Sequence, residues 1–214
     1  MNHPLARTAA VLLLALIPVM ASAQAGTSLA PRVRIETSEG TFVLELDTVR
    51  APLSAENFLR YVRDGYYDGT VFHRVVPNFV VQGGGYDAGL AERKARASIP
   101  NESGNGLSNR RGTVGLAREE SPHSGSSQFY VNLMDNAALD PLSSRWGYAV
   151  FGRVVEGMDV VDRIAHLPTQ TVENFGADVP VARPVIKRAW IIENEPAPVP
   201  AAEVRPPPET GKPE

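Results

Sequence analysis

Short runs rich in β-branched and aromatic residues recur along most of the chain, and glycine or asparagine clusters separate them. Runs of this kind are typical of short β-strands. They cover residues 33–37, 41–46, 71–76, 79–82, 112–117, 128–133, 148–154 and part of 184–192. Their order shows no alternation of strand and helix. The pattern therefore predicts a mainly β fold with one antiparallel sheet, and closure of that sheet would remove its unpaired edges.

Two segments show helical spacing instead of strand alternation. Pro52 opens the first at a position where a missing N–H costs nothing, and Gly65 is its expected stop. The apolar face of this first helix consists of Ala55, Phe58, Leu59 and Val62. Met158, Val161 and Ile164 mark the second helix. We expect both helices to pack against the sheet.

Two connections are also predicted from composition. The three glycines at 83–85 are expected to end the strand of residues 79–82. Residues 87–111 are polar and rich in turn formers, and they are too many for a simple hairpin loop. This segment is therefore predicted to be an excursion on the surface.

Three ordered motifs carry the chemical information. The stretch 72–84, FHRVVPNFVVQGG, places a permanent cation (Arg74), a large aromatic (Phe79) and an amide (Gln82) within nine residues on strand-like background. The stretch 125–132, GSSQFYVN, and the stretch 148–154, YAVFGRV, follow it in the chain. A match of four or five letters would be weak, whereas three ordered blocks are specific.

These blocks closely resemble the signature of the cyclophilins, the peptidyl-prolyl cis-trans isomerases, over residues 33–193. The resemblance implies a closed eight-stranded antiparallel β-barrel with an α-helix over each open end. It also implies an isomerase that needs no cofactor and no metal. Tyr148 stands where many eukaryotic relatives have histidine, and periplasmic bacterial relatives have tyrosine, so the chain resembles that branch.

The chemistry implied is rotation about an X–Pro bond. Amide resonance sets a barrier of about 20 kcal/mol, and the twisted amide regains a nitrogen lone pair that accepts a hydrogen bond. Arg74 suits the donor, because a guanidinium stays charged and presents several N–H groups in a rigid fork. The resemblance places the family's catalytic arginine at this position. His73 should point to the opposite face of the strand and is interpreted as a core histidine.

The resemblance also assigns substrate-binding residues. Phe79 and Tyr130 match the pocket floor and Leu139 a further wall, although alternating aromatics in a β domain are more often plain core. Gln82 is expected to bind the substrate backbone, and Tyr148 to offer an O–H and a ring face. The small residues of the groove are Val80, which many relatives replace by methionine, and Ala117, where bulk would block a peptide.

One departure from the family pattern concerns Ala138. Relatives carry tryptophan or phenylalanine immediately before the Leu-Asp pair that here is Leu139 and Asp140. The pocket therefore loses an aromatic wall, and we predict weak binding of cyclosporin. Trp146 lies nearby, but its offset does not match the missing aromatic.

The ends of the chain differ in composition from its middle. Arg7, the apolar run 11–20 and the A-x-A sequence at 21–23 predict a cleavable signal peptide over residues 1–23. The alternative is an uncleaved anchor, but the apolar run is shorter than the roughly twenty residues of a bilayer span. No second long apolar run follows, so no membrane insertion is expected after cleavage. Export to the periplasm is predicted, with secretion as the alternative.

The predicted organisation of the mature chain has three parts. Residues 24–31 form a flexible lead, 32–193 the isomerase domain, and 194–214 a proline-rich tail too poor in large apolar groups to fold. The expected partners are proline-containing polypeptides that are unfolded or partly folded. A monomer is expected.

Other functions are disfavoured by composition and spacing. A net charge of −3 offers no basic excess for nucleic acid, and the absence of cysteine removes thiolate chemistry. No His-x-His, His-Glu-x-x-His or Gly-x-Ser-x-Gly spacing suggests a metal site or a serine hydrolase. One alternative stays open: the same groove could bind proline peptides as a chaperone or scaffold module with little turnover.

Overall fold

The computed structural model describes residues 30–192, and the predicted signal peptide, most of the predicted lead and the predicted tail lie outside them. The described chain forms ten strands, two α-helices and one 3-10 turn at Ala137–Leu139. The strands are β1 (Arg32–Thr37), β2 (Gly40–Leu46), β3 (Thr70–Val76), β4 (Val80–Asp87), β5 (Thr113–Leu116), β6 (Phe129–Asn132), β7 (Val150–Glu156), β8 (Thr169–Val172), β9 (Gly176–Pro180) and β10 (Ile186–Ile192). The helices are α1 (Pro52–Arg63) and α2 (Met158–Ala165).

Eight strands form one antiparallel sheet in the order β10-β1-β2-β7-β5-β6-β4-β3. Its two end strands approach each other, because Val71 and Val185 form an isolated bridge and Phe72 N donates to Pro184 O at 2.9 Å. No continuous ladder joins β3 to β10 within residues 30–192. The sheet is therefore strongly curled, as a half-barrel, and the closed barrel expected from the sequence is not seen.

Helix α1 forms as its apolar spacing predicts. Its face of Ala55, Phe58, Leu59 and Val62 is buried in the core with residues from the curled sheet. The helix ends at Arg63, and Gly65 follows with a φ of +64°, a conformation that favours glycine. Neither α1 nor α2, nor any other helix in the described part of the chain, has the length and apolarity to cross a bilayer.

The start of α1 is held by the long connection between β4 and β5. The Glu102 carboxylate accepts hydrogen bonds from the backbone N–H of Leu53 at 3.0 Å and of Ser54 at 2.7 Å. A carboxylate satisfies the unpaired N–H groups of a helix start and suits its dipole. The predicted surface excursion is thus docked, and its residues Ser103 and Asn109 are buried.

The three glycines at 83–85 do not end the strand as predicted, because β4 continues through them to Asp87. They allow close packing instead. A Cβ on Gly83 would lie 2.8 Å from Phe72 Cδ1, and one on Gly85 would lie 2.6 Å from Gln128 Cγ. Glycine is therefore needed at these positions for close packing, and it does not end the strand.

A small hairpin of β8 and β9, which the sequence analysis did not predict, packs on β3. Its turn carries Phe175, whose ring lies 4.9 Å from the ring of Tyr86 and 6.3 Å from that of His73. Strand β9 also places Asp178 beside Arg74. The hairpin thus supports one edge of the candidate site.

Candidate active site

All eight site residues proposed from the sequence border one cleft of about 290 Å³. They are Arg74, Phe79, Val80, Gln82, Ala117, Tyr130, Leu139 and Tyr148. Arg118, which the sequence analysis did not single out, also lines this cleft. A larger depression of about 410 Å³ beside β2 and β7 has no aromatic lining residue and includes none of the residues proposed from the sequence.

Strand register explains why distant motif residues meet. Arg74 on β3 is paired with Gln82 on β4, and Gln82 is paired with Tyr130 on β6. Residues that are directly paired across an antiparallel sheet project to the same face. The cation, the amide and the aromatic floor therefore form one row across three neighbouring strands.

Arg74 is held by weak contacts and keeps donors accessible. Its Nη1 lies 3.4 Å from Gln82 Oε1, and its Nε lies 3.7 Å from Asp178 Oδ2. Its Cζ lies 5.9 Å from the centroid of the Phe79 ring. The Arg74 side chain is 38% exposed and that of Asp178 is 41% exposed, so the guanidinium is not locked in a buried ion pair.

The floor residue Tyr130 is fixed far more tightly. It is buried, and its O–H donates to Asn109 Oδ1 at 2.7 Å. Asn109 Nδ2 in turn donates to Asp140 Oδ1 at 2.9 Å. Burial also holds the pKa of the Tyr130 phenol well above its ordinary value, so the group stays neutral and remains a donor. Asn109 is a supporting residue that sequence reasoning missed, because it lies in the irregular connection.

The glycine opposite Tyr130 gives this ring its room. Gly115 on β5 is paired with Tyr130, and a Cβ on Gly115 would lie 2.2 Å from the Tyr130 hydroxyl oxygen. Any side chain at 115 would displace the phenol. The Gly-Leu-Ala sequence at 115–117 thus shapes the groove at two places, since Ala117 also lines it.

The remaining walls come from turns. Phe79 follows Asn78, whose φ is +57°, in the turn that joins β3 to β4. Leu139 ends the 3-10 turn, and its carbonyl accepts the Tyr148 N–H at 2.9 Å. Ala138, in the same turn, is exposed and does not line the cleft.

Tyr148 precedes β7 rather than belonging to it, so the strand begins two residues later than predicted. Its half-buried ring lies edge-on to Tyr130, with 6.1 Å between centroids. On the other side, the Arg118 guanidinium lies 4.4 Å from the centre of the Tyr148 ring. The only sequence signal for Arg118 was its place directly after Ala117.

His73 is 5% exposed, as expected for a core histidine, and its ring packs against Tyr86 and Phe175. Burial and the neighbouring positive charge of Arg74 lower the pKa of His73 from 6.5 to about 4. A neutral buried imidazole fits a structural role. Within residues 30–192, no group of three or more histidine or acidic side chains is placed to hold a metal ion.

Comparisons with known proteins show the family of this chain. The sequence profile of the family described as cyclophilin type peptidyl-prolyl cis-trans isomerase/CLD matches residues 32–190. The chain is 49% identical over 139 residues to a peptidyl-prolyl cis-trans isomerase of Acinetobacter baylyi, covering 65% of this chain and 74% of that protein. It is 40% identical over 164 residues to peptidyl-prolyl cis-trans isomerase B of Escherichia coli, covering 75% of this chain and 99% of that protein.

A solved structure of a cyclophilin type isomerase has a similar fold. The crystal structure of a Cryptosporidium parvum cyclophilin type isomerase in the presence of the dipeptide Ala-Pro matches with a TM-score of 0.62 and 25% identity. The match covers 76% of this chain and 99% of that one. On the family profile, the bacterial relatives and the shared architecture, this chain belongs to the cyclophilin-type peptidyl-prolyl cis-trans isomerases.

Proposed function

We propose that this isomerase accelerates X–Pro rotation in exported polypeptides that are still folding, and that Arg74 is its catalytic donor. The observation that carries the proposal is the row of Arg74, Gln82 and Tyr130 on three paired strands, facing one cleft. Slow X–Pro isomerisation can limit folding, so newly exported chains are suitable substrates.

Arg74 acts on the twisted amide rather than on either planar form. When resonance is lost, the proline nitrogen becomes pyramidal and accepts a hydrogen bond from the guanidinium. Only interactions that strengthen in the transition state accelerate the step. The partly exposed guanidinium, with its contacts of 3.4 Å and 3.7 Å, has donors left for this bond.

The other cleft residues bind the peptide. Phe79, Tyr130 and Leu139 grip the proline ring, and Val80 and Ala117 leave the groove wide enough for a chain. Gln82 binds the substrate backbone, with its own amide oriented by a hydrogen bond from Nε2 to Gln128 Oε1 at 3.0 Å. Tyr148 closes the far wall. Solution of a related structure in the presence of Ala-Pro supports a small proline peptide as ligand.

The setting of the reaction is also a proposal. Residues 1–23 have the composition of a cleavable signal peptide, and the bacterial relatives fit a protein exported to the periplasm. The domain comprises residues 32–193 and acts as a monomer, and the predicted tail at 194–214 lies outside the described residues. We further propose that the contacts between β3 and β10 complete a closed barrel in solution.

A second reading keeps the same groove but assigns it binding without turnover. Its motivation is the missing aromatic at Ala138, which leaves one wall less complete. The same gap underlies the expectation of weak cyclosporin binding, and a nanomolar dissociation constant would contradict it. The retained Arg74, Phe79 and Gln82 favour the enzyme.

The experiment is a protease-coupled isomerisation assay of the chain from Gln24 on an Ala-Pro peptide. Arg74→Ala should lower kcat/KM at least tenfold, equivalent to about 1.4 kcal/mol of transition-state stabilisation. Arg60→Ala is the matched control, because Arg60 lies on α1 outside the cleft and is 60% exposed. An unchanged rate for Arg74→Ala would remove Arg74 from its role, and peptide binding without acceleration would select the binding module.

A further inference from the structure

Arg118 has an unusual position for a cation at the edge of a substrate cleft. It is half-buried, it lines the cleft, and its guanidinium carbon lies 4.4 Å from the centre of the Tyr148 ring. That distance is within the range of a cation–π contact. The ring it covers is one wall of the same cleft.

The donors of Arg118 are directed at backbone rather than at solvent. Nε donates to Gly147 O at 3.3 Å, and Nη2 donates to Trp146 O at 3.2 Å. Nη1 donates to Glu119 O at 2.7 Å and to Glu120 O at 3.1 Å. One planar fork thus connects the segment after β5 to the segment that carries Tyr148.

The Tyr148 ring has two neighbours in the cleft. The Arg118 guanidinium lies over the ring, and the Tyr130 ring meets it at an interplanar angle of 80°. The backbone N–H of Tyr148 is bound to Leu139 O at 2.9 Å. The neighbouring Ala138 supplies no aromatic to this wall, so the orientation of the Tyr148 ring matters more here.

We propose that Arg118 is a positioning residue that holds the Tyr148 ring as a wall of the proline cleft. The proposal rests on the function proposed above for this cleft. Loss of Arg118 and loss of Arg74 are expected to change different kinetic constants. A wall contacts the peptide in its planar and twisted forms alike, so its loss raises KM, whereas loss of a transition-state donor lowers kcat.

Charge alone does not satisfy this role. A lysine ammonium is a point charge without a planar fork, and it cannot lie flat on a ring while reaching carbonyls of both segments. We therefore expect Arg118→Lys to behave like Arg118→Ala. Rescue by lysine would instead indicate that only a positive charge is needed near the cleft, and it would overturn the positioning role.

The test is a double-mutant cycle of Arg118→Ala and Tyr148→Ala, read out as KM and kcat on an Ala-Pro peptide. Arg118→Ala should raise KM about fivefold with kcat within about twofold of the wild type. In the Tyr148→Ala background the same change should have almost no further effect, because its target is gone. Additive effects would mean that Arg118 acts on the substrate directly and would overturn the proposal.

Two further measurements keep the outcome specific. Arg188→Ala is the matched control, because Arg188 covers the ring of Trp190 at 5.1 Å away from the cleft, and its KM should not change. Peptide affinity by calorimetry is measured on the same variants. Without any acceleration by the wild type the proposed function fails, whereas the coupling between Arg118 and Tyr148 is still read from the affinities.

Discussion

The two sides of the cleft are built differently. On the cation side, Arg74 is 38% exposed and its polar partners lie at 3.4 Å and 3.7 Å. On the wall side, Tyr130 is buried and its hydroxyl is held at 2.7 Å by Asn109. A partly exposed ion pair is worth little, whereas a broken buried hydrogen bond is costly. The proposed donor is thus loosely held, whereas the proposed floor of the pocket is firmly held.

This difference suits the reaction. During rotation the proline ring must stay in place while the carbonyl on the other side of the amide bond swings. The group that binds the twisted nitrogen needs some freedom to follow it, and the floor does not. Three changes test this contrast: at His73 next to Arg74, at Gly115 opposite Tyr130, and at Asp178 beside Arg74.

The largest expected effect concerns His73, the buried neighbour of Arg74 in β3. Its pKa is lowered from 6.5 to about 4 by burial and by the charge of Arg74, so between these pH values the unfolded chain binds more protons than the folded one. The free energy of unfolding therefore rises with pH in this window. This contribution, about 3 kcal/mol, is fully present above pH 6.5 and is lost as the pH falls through 4.

Urea denaturation of the wild type and of His73→Gln between pH 7 and pH 4 measures it. The variant should lack this part of the pH dependence, although its stability at pH 7 is also changed. His166→Gln is the control for loss of a histidine at an exposed position. Equal pH slopes of the unfolding free energy for His73→Gln and the wild type would mean that the residue next to Arg74 is not shielded from water.

The floor gives the second effect. Gly115→Ala places a Cβ 2.2 Å from the Tyr130 hydroxyl oxygen, and overpacking of this kind costs about 2 kcal/mol of unfolding free energy. The KM for an Ala-Pro peptide should rise as well, because the floor is displaced. Urea denaturation and steady-state kinetics measure the two changes.

A second glycine provides the control for that change. A Cβ on Gly104 would meet no atom within 4 Å, so Gly104→Ala should leave stability and KM near the wild type. If Gly115→Ala behaved in the same way, the floor would be adjustable after all. The contrast between the two sides of the cleft would then be lost.

The smallest effect is expected at Asp178. The pair with Arg74 is long and both side chains are partly exposed, so Asp178→Asn should change kcat/KM by less than about threefold. Assays at low and high ionic strength would show whether the residual effect is screened. A tenfold fall would instead mean that Asp178 fixes the donor, making both sides of the cleft rigid.

Residues within contiguous motifs were the part of the site that the sequence could predict. Arg74, Phe79 and Gln82 lie in one stretch, and the resemblance of that stretch to the cyclophilin signature assigned their roles. The pairing of Arg74 with Gln82 and of Gln82 with Tyr130 came only from the structure. The apolar spacing of α1 was sufficient to predict that helix, because hydrophobic periodicity is a property of the local sequence. Their roles in catalysis remain predictions.

What escaped prediction depends on contacts between distant segments. Asn109 supports Tyr130 from an irregular connection with no periodic pattern, and Arg118 meets Tyr148 across thirty positions of sequence. The glycines at 83–85 were interpreted by their usual role as breakers, whereas the crowding by Phe72 and Gln128 that requires them is visible only in three dimensions. The hairpin of β8 and β9 is short and polar, and its strand signal was weak.

The connection between β4 and β5 contacts both the start of α1 and Tyr130 in the candidate cleft. Glu102 closes the first turn of α1, and seven positions later Asn109 binds the hydroxyl beneath the proline pocket. Ordering this segment costs conformational entropy once, and the ordered segment supports both the start of α1 and the Tyr130 hydroxyl. A change in this irregular segment is therefore expected to disturb a helix end and the shape of the candidate cleft together.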